Sequence, residues 1–287
     1  MLAAIQSSVP VGRTALITGL PRAGTTLLAS LLNRLPDCIA LVEPMDARHI
    51  LGHQKQSEMV ESIAAFLEAQ RHSILQQGIA ISFHASGQMP DNFFGDQRDV
   101  SGKRILSGIK RGKIKVTKKL PDDFLLIVKD NTSFTALLQP LAQRFAVYAI
   151  IRHPLAVLAS WHSVSLPVGN GHVPMAEAID GKLASELAAL DDVVARQIHI
   201  LNWFFAKFLA TLPASHIVPY ETIISTGGKV LSVINPLAIT LDEKLGNRNQ
   251  NKLYDQTVMR GLHRRLINTD GACWQFYDRE SMANFPV

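Results

Sequence analysis

The sequence predicts an α/β fold in which helices cover both faces of a central parallel sheet. Short apolar runs alternate along the chain with segments of helical periodicity, a pattern typical of parallel strands joined by helices. A glycine-rich loop separates the first apolar run from the first helical segment. With 287 residues, 47% of them hydrophobic, the chain is long enough to bury a large core. We therefore expect one domain over residues 1–287, interrupted by an insertion at about residues 45–120.

The individual elements follow from these patterns in chain order. Apolar runs predict five strands, over Thr14–Thr18, Ile39–Val42, Phe124–Val128, Val147–Ile151 and His216–Pro219. Helical spacing of apolar residues predicts five helices, over Thr25–Leu35, Ser57–Gln76, Ser133–Arg144, Leu155–Ser163 and Val193–Leu212. The last helix has Asp191 or Asp192 near its start, and its charged and polar side chains make it too polar to span a bilayer.

Composition narrows the class of protein only modestly. There are 29 basic and 24 acidic residues, a net charge of +5, which suits a protein that handles anions but is too small a bias to predict nucleic-acid binding. The two cysteines, Cys38 and Cys273, form neither a disulfide framework nor a metal-ligand cluster. No targeting segment or membrane anchor is expected in Met1–Pro10, so we predict a soluble cytoplasmic protein without a metal site.

The loop after the first strand has the spacing of a phosphate-binding P-loop. It reads Gly-Leu-Pro-Arg-Ala-Gly-Thr-Thr over residues 19–26, between a strand and a helix, so that backbone N–H groups and a helix N-terminus surround an anion. In nucleotide kinases and ATPases a lysine precedes the final Ser/Thr and reaches the β- and γ-phosphates. Here Thr25 occupies that position, while Arg22 adds a permanently charged donor within the loop.

A second group of residues lies at the end of a later strand. Arg152 ends an apolar run, Pro154 suits the first turn of the helix that follows, and Ser160 lies on the second turn of that helix. Ligands of open α/β sheets bind at the carboxyl ends of the strands. Arg152 and Ser160 are therefore placed to share a second phosphate.

Together, these motifs resemble the sulfotransferases that use 3′-phosphoadenosine 5′-phosphosulfate (PAPS). The family's 5′-phosphosulfate loop reads Pro-[Arg/Lys]-Ser-Gly-Thr-Thr, and this chain differs from it only at Ala23. The family's 3′-phosphate signature is an arginine at a strand end and a serine eight positions later, as in Arg152 and Ser160. Val-Pro-Tyr-Glu over residues 218–221 is similar to the segment that brings a tyrosine, here Tyr220, beside the adenine.

The resemblance implies a P-loop NTPase-like three-layer fold and the transfer of a sulfuryl group from PAPS to a hydroxyl or amine of an acceptor. Adenosine 3′,5′-bisphosphate is the product, and no metal is needed, which accounts for the missing lysine. The family implies cofactor binding by Arg22, Ala23, Gly24, Thr25, Thr26, Arg152, Ser160 and Tyr220. The acceptor is expected to be a small molecule or a carbohydrate, and no feature of the sequence indicates its identity or an oligomeric state.

The catalytic base is assigned by comparing branches of the family. Cytosolic members use a histidine two residues after a lysine, but the matching run here ends in Asn131, which accepts no proton. The chain is more similar to the carbohydrate, tyrosylprotein and bacterial branches, which implies Glu43 as base, with His49 and His53 as alternatives. Lys129 either stabilises the sulfuryl group or pairs with Asp130. The predicted catalytic residues are therefore Glu43, Arg22 and Lys129.

Two basic segments have more than one interpretation. Residues 103–119 contain eight lysines and arginines and no acidic residue; they either guard an exposed edge strand or steer an anionic ligand into the site. Arg260, His263, Arg264 and Arg265 form a solvated helix face or close the 3′-phosphate site. Two other functions remain open: a non-catalytic phosphonucleotide-binding protein, and a P-loop small-molecule kinase, against which Thr25 argues.

Overall fold

The computed structural model describes residues 13–89, 91–106, 108–283 and 285. The prediction for Met1–Pro10 therefore lies outside the described residues. No helix within the described ranges is both long and apolar enough to cross a membrane.

The structure contains nine strands and twelve α-helices within the described residues. The strands are β1 (Thr14–Gly19), β2 (Cys38–Val42), β3 (Ile79–Ala85), β4 (Phe94–Arg98), β5 (Arg104–Leu106), β6 (Ile109–Lys115), β7 (Leu125–Lys129), β8 (Ala146–Ile151) and β9 (Ile217–Pro219). The helices are α1 (Thr25–Leu32), α2 (Arg48–Leu51), α3 (Gln56–Gln77), α4 (Thr132–Ala136), α5 (Leu138–Ala142), α6 (Pro154–His162), α7 (Pro174–Ile179), α8 (Gly181–Ala188), α9 (Val193–Thr211), α10 (Tyr220–Ser225), α11 (Gln256–Ile267) and α12 (Arg279–Ala283).

Five strands form a central parallel sheet in the order β2-β7-β1-β8-β9. Every residue of β2 and β7 is buried, and β1 and β8 are buried except at their first residues, so both faces of the sheet are covered. Helix α1 packs against β2 and β7, whereas α4 contacts β1 and α5 contacts β8. The predicted α/β fold and its five parallel strands are confirmed.

The described part of the chain has six helices that were not predicted, α2, α7, α8, α10, α11 and α12, and one predicted helix is divided in two. The single helix predicted over Ser133–Arg144 is two short helices, α4 and α5, with Leu137 between them at φ −100° and ψ 19°. Pro140 lacks a backbone N–H and its ring restricts the preceding backbone, so one continuous helix cannot form there. Helix α9 matches the prediction closely, and the Asp192 carboxylate caps it by accepting the N–H of Ala195 at 2.7 Å.

The insertion between β2 and β7 contains α2, α3 and two small antiparallel sheets. Strand β3 pairs with β6, and β4 pairs with β5. Among the described residues β6 has β3 as its only partner strand, and Lys113 and Lys115 are exposed on it. The predicted exposed edge strand is therefore confirmed, whereas both roles of the basic segment, guarding that edge and steering an anionic ligand, stay predictions.

Lys118, also in the basic segment, has a structural role. Its ammonium donates to the carbonyls of Asn33, Leu35 and Cys38 at 2.7, 2.7 and 2.8 Å. These carbonyls belong to the turn that joins the end of α1 to β2, where helix carbonyls lack intrahelical partners.

Helix α3 is attached to the amino-terminal end of the sheet by a buried arginine. The Arg71 guanidinium donates to the carbonyl of Phe124 at 2.7 Å and to that of Arg13 at 2.6 Å, and it lies 4.6 Å from the centroid of the Phe124 ring. Only 7% of Arg71 is exposed. This side chain therefore links the insertion to the segments that enter β1 and β7.

Replacing Arg71 by Met should destabilise the protein without removing the apolar stem of the side chain. Two buried carbonyls would lose a charged donor, which costs about 2–4 kcal/mol of unfolding free energy. Urea denaturation monitored by circular dichroism would measure this change in unfolding free energy. Arg264→Met, on the exposed face of α11, is the matched control and should change stability by less than about 0.5 kcal/mol. Equal stabilities of the two variants would contradict the assigned role.

Candidate functional site

A cavity of about 910 Å³ opens at the carboxyl ends of the central strands. Residues at the carboxyl ends of all five of these strands reach it, because parallel strands all end at the same edge of the sheet. The predicted site residues that line it are Arg22, Gly24, Thr25, Thr26, Glu43, Lys129, Arg152, Ser160 and Tyr220. Ala23 is fully buried behind the loop.

The loop between β1 and α1 is held close to its neighbours. Gly24 has φ 94°, and a Cβ built on it would lie 2.7 Å from Cδ2 of Tyr220. A side chain is therefore excluded at this position both by backbone conformation and by the tyrosine ring. The Pro21 carbonyl accepts the indole N–H of Trp161 at 2.8 Å, which fixes the start of the loop.

Helix α1 presents its first turn to the cavity. Gly24, Thr25 and Thr26 line the cavity, and the helix has no side-chain cap at its N-terminus. N–H groups in the first turn of a helix have no intrahelical acceptor and lie at the positive end of the helix dipole. The N-terminus of α1 can therefore bind an anion.

Arg22 crosses the mouth of this loop with a backbone φ of 72°. Its Nε donates to Ser160 Oγ at 3.3 Å, and its guanidinium lies 4.5 Å from the centroid of the Phe94 ring. Asn92 accepts from both terminal nitrogens at 3.4 and 3.5 Å. The side chain is thus oriented by β4 of the insertion on one side and by α6 on the other.

Arg152 lies beneath the loop and is 5% exposed. Its Nη1 donates to the carbonyl of Arg22 at 2.8 Å, its Nε to Asn249 Oδ1 at 2.8 Å, and its Nη2 to the carbonyl of Arg248 at 2.6 Å. The guanidinium also lies 4.7 Å from the centroid of the Tyr220 ring. Arg152 therefore joins the loop after β1 to the segment around residues 248–249.

Glu221, beside Tyr220, secures the same segment from the other side. Its Oε1 accepts the backbone N–H of His153 at 3.0 Å and the amide of Asn249 at 2.7 Å, and its Oε2 accepts the hydroxyl of Tyr277 at 3.0 Å. The Tyr-Glu pair predicted after the last strand thus has two separate roles. Tyr220 packs under Arg152 and Gly24, while Glu221 anchors the surrounding loops.

Five arginines line the cavity: Arg22, Arg104, Arg111, Arg152 and Arg248. Three of them, Arg22, Arg104 and Arg152, lie close enough to influence one another. The pKa of Arg22 is lowered to about 10. Burial is the main cause, and the positive charges of Arg104 and Arg152 contribute to the same shift. Arg104 comes from β5, and its Nη2 donates to Ser163 Oγ at 3.1 Å. An anion bound among these like charges would relieve their repulsion.

Glu43 and Lys129 form an ion pair at the opposite side of the cavity, with 2.5 Å between Oε1 and Nζ. The Lys129 side chain is 3% exposed and that of Glu43 is 35% exposed. Glu43 has a φ of 43°, and two hydrogen bonds hold this conformation. The Glu43 N–H donates to the Lys129 carbonyl at 2.7 Å, and Arg111 Nε donates to the Glu43 carbonyl at 2.9 Å. Lys129 thus pairs with Glu43.

Asp130 is a further carboxylate that lines the cavity beside this ion pair. It accepts the N–H of Ser133 at 3.1 Å at the start of α4. Burial raises the pKa of Asp130 to about 6, the negative charge of Glu43 raises it as well, and Lys129 opposes the shift. The site therefore holds two carboxyl groups and one ammonium.

Another part of the cavity lining is apolar. Its walls come from the insertion and from the segments after β2 and α6. They comprise Met45, Ile50, Phe83, Phe93, Phe94, Leu106, Ile109, Leu166, Val168, Val173 and Met175.

Several predicted candidates lie outside the described lining of the cavity. His49 and His53, the alternative bases, are absent from that lining, as are Arg260, Arg264 and Arg265. Those three arginines are exposed on α11, where Arg265 pairs with Asp192 at 2.5 Å. No group of His, Cys, Asp or Glu among the described residues has an arrangement suited to a metal ion.

The sequence analysis missed the segment Lys244–Tyr254 and singled out neither Arg104 nor Asp130 as a site residue. Lys244, Arg248 and Tyr254 from this segment line the cavity, and Tyr254 lies 3.3 Å from Arg152 Nη2. Residues 246–251 of this segment are rich in asparagine and also contain glycine and arginine, a composition typical of a loop that can bind an anion. Asp130 follows an apolar strand directly, which is the same signal that identified Arg152.

Among the solved structures to which the chain is similar is a mycobacterial sulfotransferase. The chain is 14% identical to the sulfotransferase STF1 from Mycobacterium tuberculosis, over 89% of this chain and 76% of that chain, with a TM-score of 0.37. No protein-family model matches the chain, and no curated protein matches it.

Substituting Gly24 by Ala should distort the loop. The new methyl would overlap the Tyr220 ring and force an alanine to adopt φ 94°, so we expect a loss of about 1–3 kcal/mol in unfolding free energy. Thermal denaturation of the two proteins would measure it. The control is Gly181→Ala, at the start of α8, where a Cβ meets no atom within 4 Å. A Gly24→Ala variant as stable as this control would refute the steric argument.

Proposed function

We propose that this chain is one sulfotransferase domain that transfers the sulfuryl group of PAPS to a hydroxyl or amine of a small acceptor. The observation that carries the proposal is the convergence of Arg22, Arg104 and Arg152 with the N-terminus of α1, at a loop that has Thr25 in place of lysine. Such a site suits a ligand with two separate anionic groups and no γ-phosphate.

The residues present fit this nucleotide. Arg22 and the first turn of α1 would hold the 5′-phosphosulfate, while Arg152 and Ser160 would hold the 3′-phosphate and Tyr220 would lie by the adenine. PAPS supplies an activated sulfur–oxygen bond whose cleavage releases adenosine 3′,5′-bisphosphate. Because the N–H groups of Arg152 already donate to Asn249 and to backbone carbonyls, the 3′-phosphate would compete with the contact to Arg248.

The chain's own residues provide the remaining chemistry. Glu43, partly exposed to the cavity, would accept the acceptor's proton as it attacks. Lys129, paired with Glu43, would place positive charge beside the transferred group, and Arg22 would act from the loop. No step in this proposal requires a metal.

The apolar side chains of the lining favour a small acceptor with an apolar portion over a carbohydrate. Sugar hydroxyls each need a polar partner when buried, whereas the apolar part of the lining consists of eleven aliphatic and aromatic side chains. One face of the Phe83 ring is taken by Arg111 at 5.0 Å and one face of Phe94 by Arg22, which reduces the area open for stacking on a sugar.

Calorimetric titration with adenosine 3′,5′-bisphosphate, beside ATP–Mg²⁺, tests the choice of cofactor. We expect the bisphosphate to bind and ATP–Mg²⁺ to bind at least about tenfold more weakly, because no lysine reaches a γ-phosphate. Ser160→Ala should weaken bisphosphate binding, whereas the exposed Ser185→Ala on α8 should not. Binding of ATP–Mg²⁺ alone would overturn the proposal in favour of a kinase.

A second experiment separates an enzyme from a binding protein. Glu43→Gln should leave bisphosphate affinity within about threefold of the wild type and lower sulfuryl transfer at least about 100-fold, since it removes the base. Transfer of radiolabelled sulfate to 2-naphthol and to N-acetylglucosamine would measure it. Exposed Glu61→Gln on α3 is the matched control. Unchanged transfer would rule out Glu43 as the base; bisphosphate binding without transfer by the wild type would indicate a non-catalytic protein.

A further inference from the structure

We propose that Glu43 and Asp130 act as one coupled carboxyl pair around Lys129, and that Asp130 is the positioning residue that allows Glu43 to accept a proton. The inference rests on the proposed function. It assigns a role to a buried carboxylate that the motifs of the loop and of the Arg152 strand do not include.

The two carboxylates lie at the ends of adjacent strands. Strand β2 pairs with β7, and Val42 lies opposite Lys129. The next residues, Glu43 after β2 and Asp130 after β7, are therefore neighbours. Backbone contacts fix both positions: the Glu43 N–H donates to the Lys129 carbonyl at 2.7 Å, and the Asp130 N–H donates to the Ile17 carbonyl at 3.0 Å. Both side chains line the same cavity.

Charge balance explains why the second carboxylate matters. A lone Glu43–Lys129 pair at 2.5 Å is neutral, and protonating Glu43 would leave a buried ammonium without a counter-ion. With Asp130 present, the three ionised groups carry a net charge of −1. Uptake of one proton by Glu43 then brings the cluster to zero, and Lys129 retains Asp130 as its anionic neighbour.

Proton transfer in this arrangement is balanced. The acceptor oxygen forms a bond to sulfur, and the bond between sulfur and the 5′-phosphate oxygen breaks. The acceptor proton passes to Glu43, and the electron pair of the broken bond leaves with adenosine 3′,5′-bisphosphate. Asp130 changes neither its bonds nor its contact with Ser133; it supplies the charge that makes proton uptake favourable.

Other charged groups near the cluster belong to neighbouring elements. Arg111 of β6 donates to the Glu43 carbonyl and lies 4.0 Å from Asp46. Helix α7 packs on α4, and the His172–Glu177 pair, 3.2 Å apart, lies at its start. Arg111 thus lies near the carboxylate of Asp46 and His172 near that of Glu177, whereas the Lys129 ammonium contacts Glu43.

The raised pKa of Asp130, about 6, agrees with this coupling because Glu43 is one of its causes. A carboxyl whose pKa is raised on folding binds a proton more easily in the folded protein than in the unfolded chain. Asp130 therefore becomes ionised, and able to balance the charge of Lys129, as the pH rises above about 6.

Asp130→Asn tests the pairing by two independent measurements. The acidic limb of the pH profile of kcat/KM should move to lower pH, and transfer at pH 8 should fall at least about tenfold, because Glu43 then faces Lys129 alone. The second measurement is a carbon-13 NMR titration of the side-chain carboxyls, which can be made without PAPS. In Glu43→Gln, the Asp130 midpoint should fall below its wild-type value near pH 6.

The matched control is Asp122→Asn, an exposed aspartate shortly before β7, which should leave both measurements unchanged. Ionised Asp130 costs stability, because its pKa is raised on folding, so Asp130→Asn should fold and remain at least as stable at pH 8. An Asp130 midpoint unaffected by Glu43→Gln, or an acidic limb unaffected by Asp130→Asn, overturns the pairing. Coupled titration without sulfuryl transfer by the wild type overturns the proposed function alone.

Discussion

The guanidinium of Arg152 holds together three segments that are distant in the sequence. It emerges at the end of β8, bonds the carbonyl of Arg22 in the loop after β1, and bonds Arg248 and Asn249 in the segment that closes the cavity. A 5% exposed arginine needs partners for its N–H groups, and these backbone and amide oxygens supply them. The shape of the anion-binding end of the cavity therefore depends on the same side chain that is proposed to meet the 3′-phosphate.

This double use links cofactor binding to the position of the loops. The N–H groups of Arg152 donate to protein oxygens, so a bound phosphate would compete with these oxygens for them. A phosphate that takes over one of these contacts releases the carbonyl of Arg248 and changes what holds Lys244–Tyr254 in place. Glu221 keeps Asn249 attached through a separate hydrogen bond of 2.7 Å, so this exchange need not free the whole segment.

The sequence allowed the sheet and the strand–loop–helix unit at residues 14–32 to be predicted, because each rests on local patterns. Strands such as Leu125–Lys129 are recognisable because strands buried on both faces are runs of apolar residues. The break between α4 and α5 was missed because helical spacing of apolar residues continues through Pro140. The Glu43–Lys129 contact and the role of Arg104 depend on strand order and on how the insertion folds back. Neither property is encoded by spacing along the chain.

The threonine at position 25 can be understood from charge alone. Arg22, Arg104 and Arg152 already lie close enough for the latter two to lower the pKa of Arg22, whose own burial is the larger cause. A lysine at position 25 would add a fourth cation at a residue that is 3% exposed, where the cost of an unpaired charge is several kcal/mol. Thr25 avoids that cost, and its methyl group packs beside Gly19, where a Cβ would lie 2.8 Å from it. The loop thus keeps its helix N-terminus as an anion site, while its own Arg22 provides charge together with Arg104 and Arg152 from two other segments.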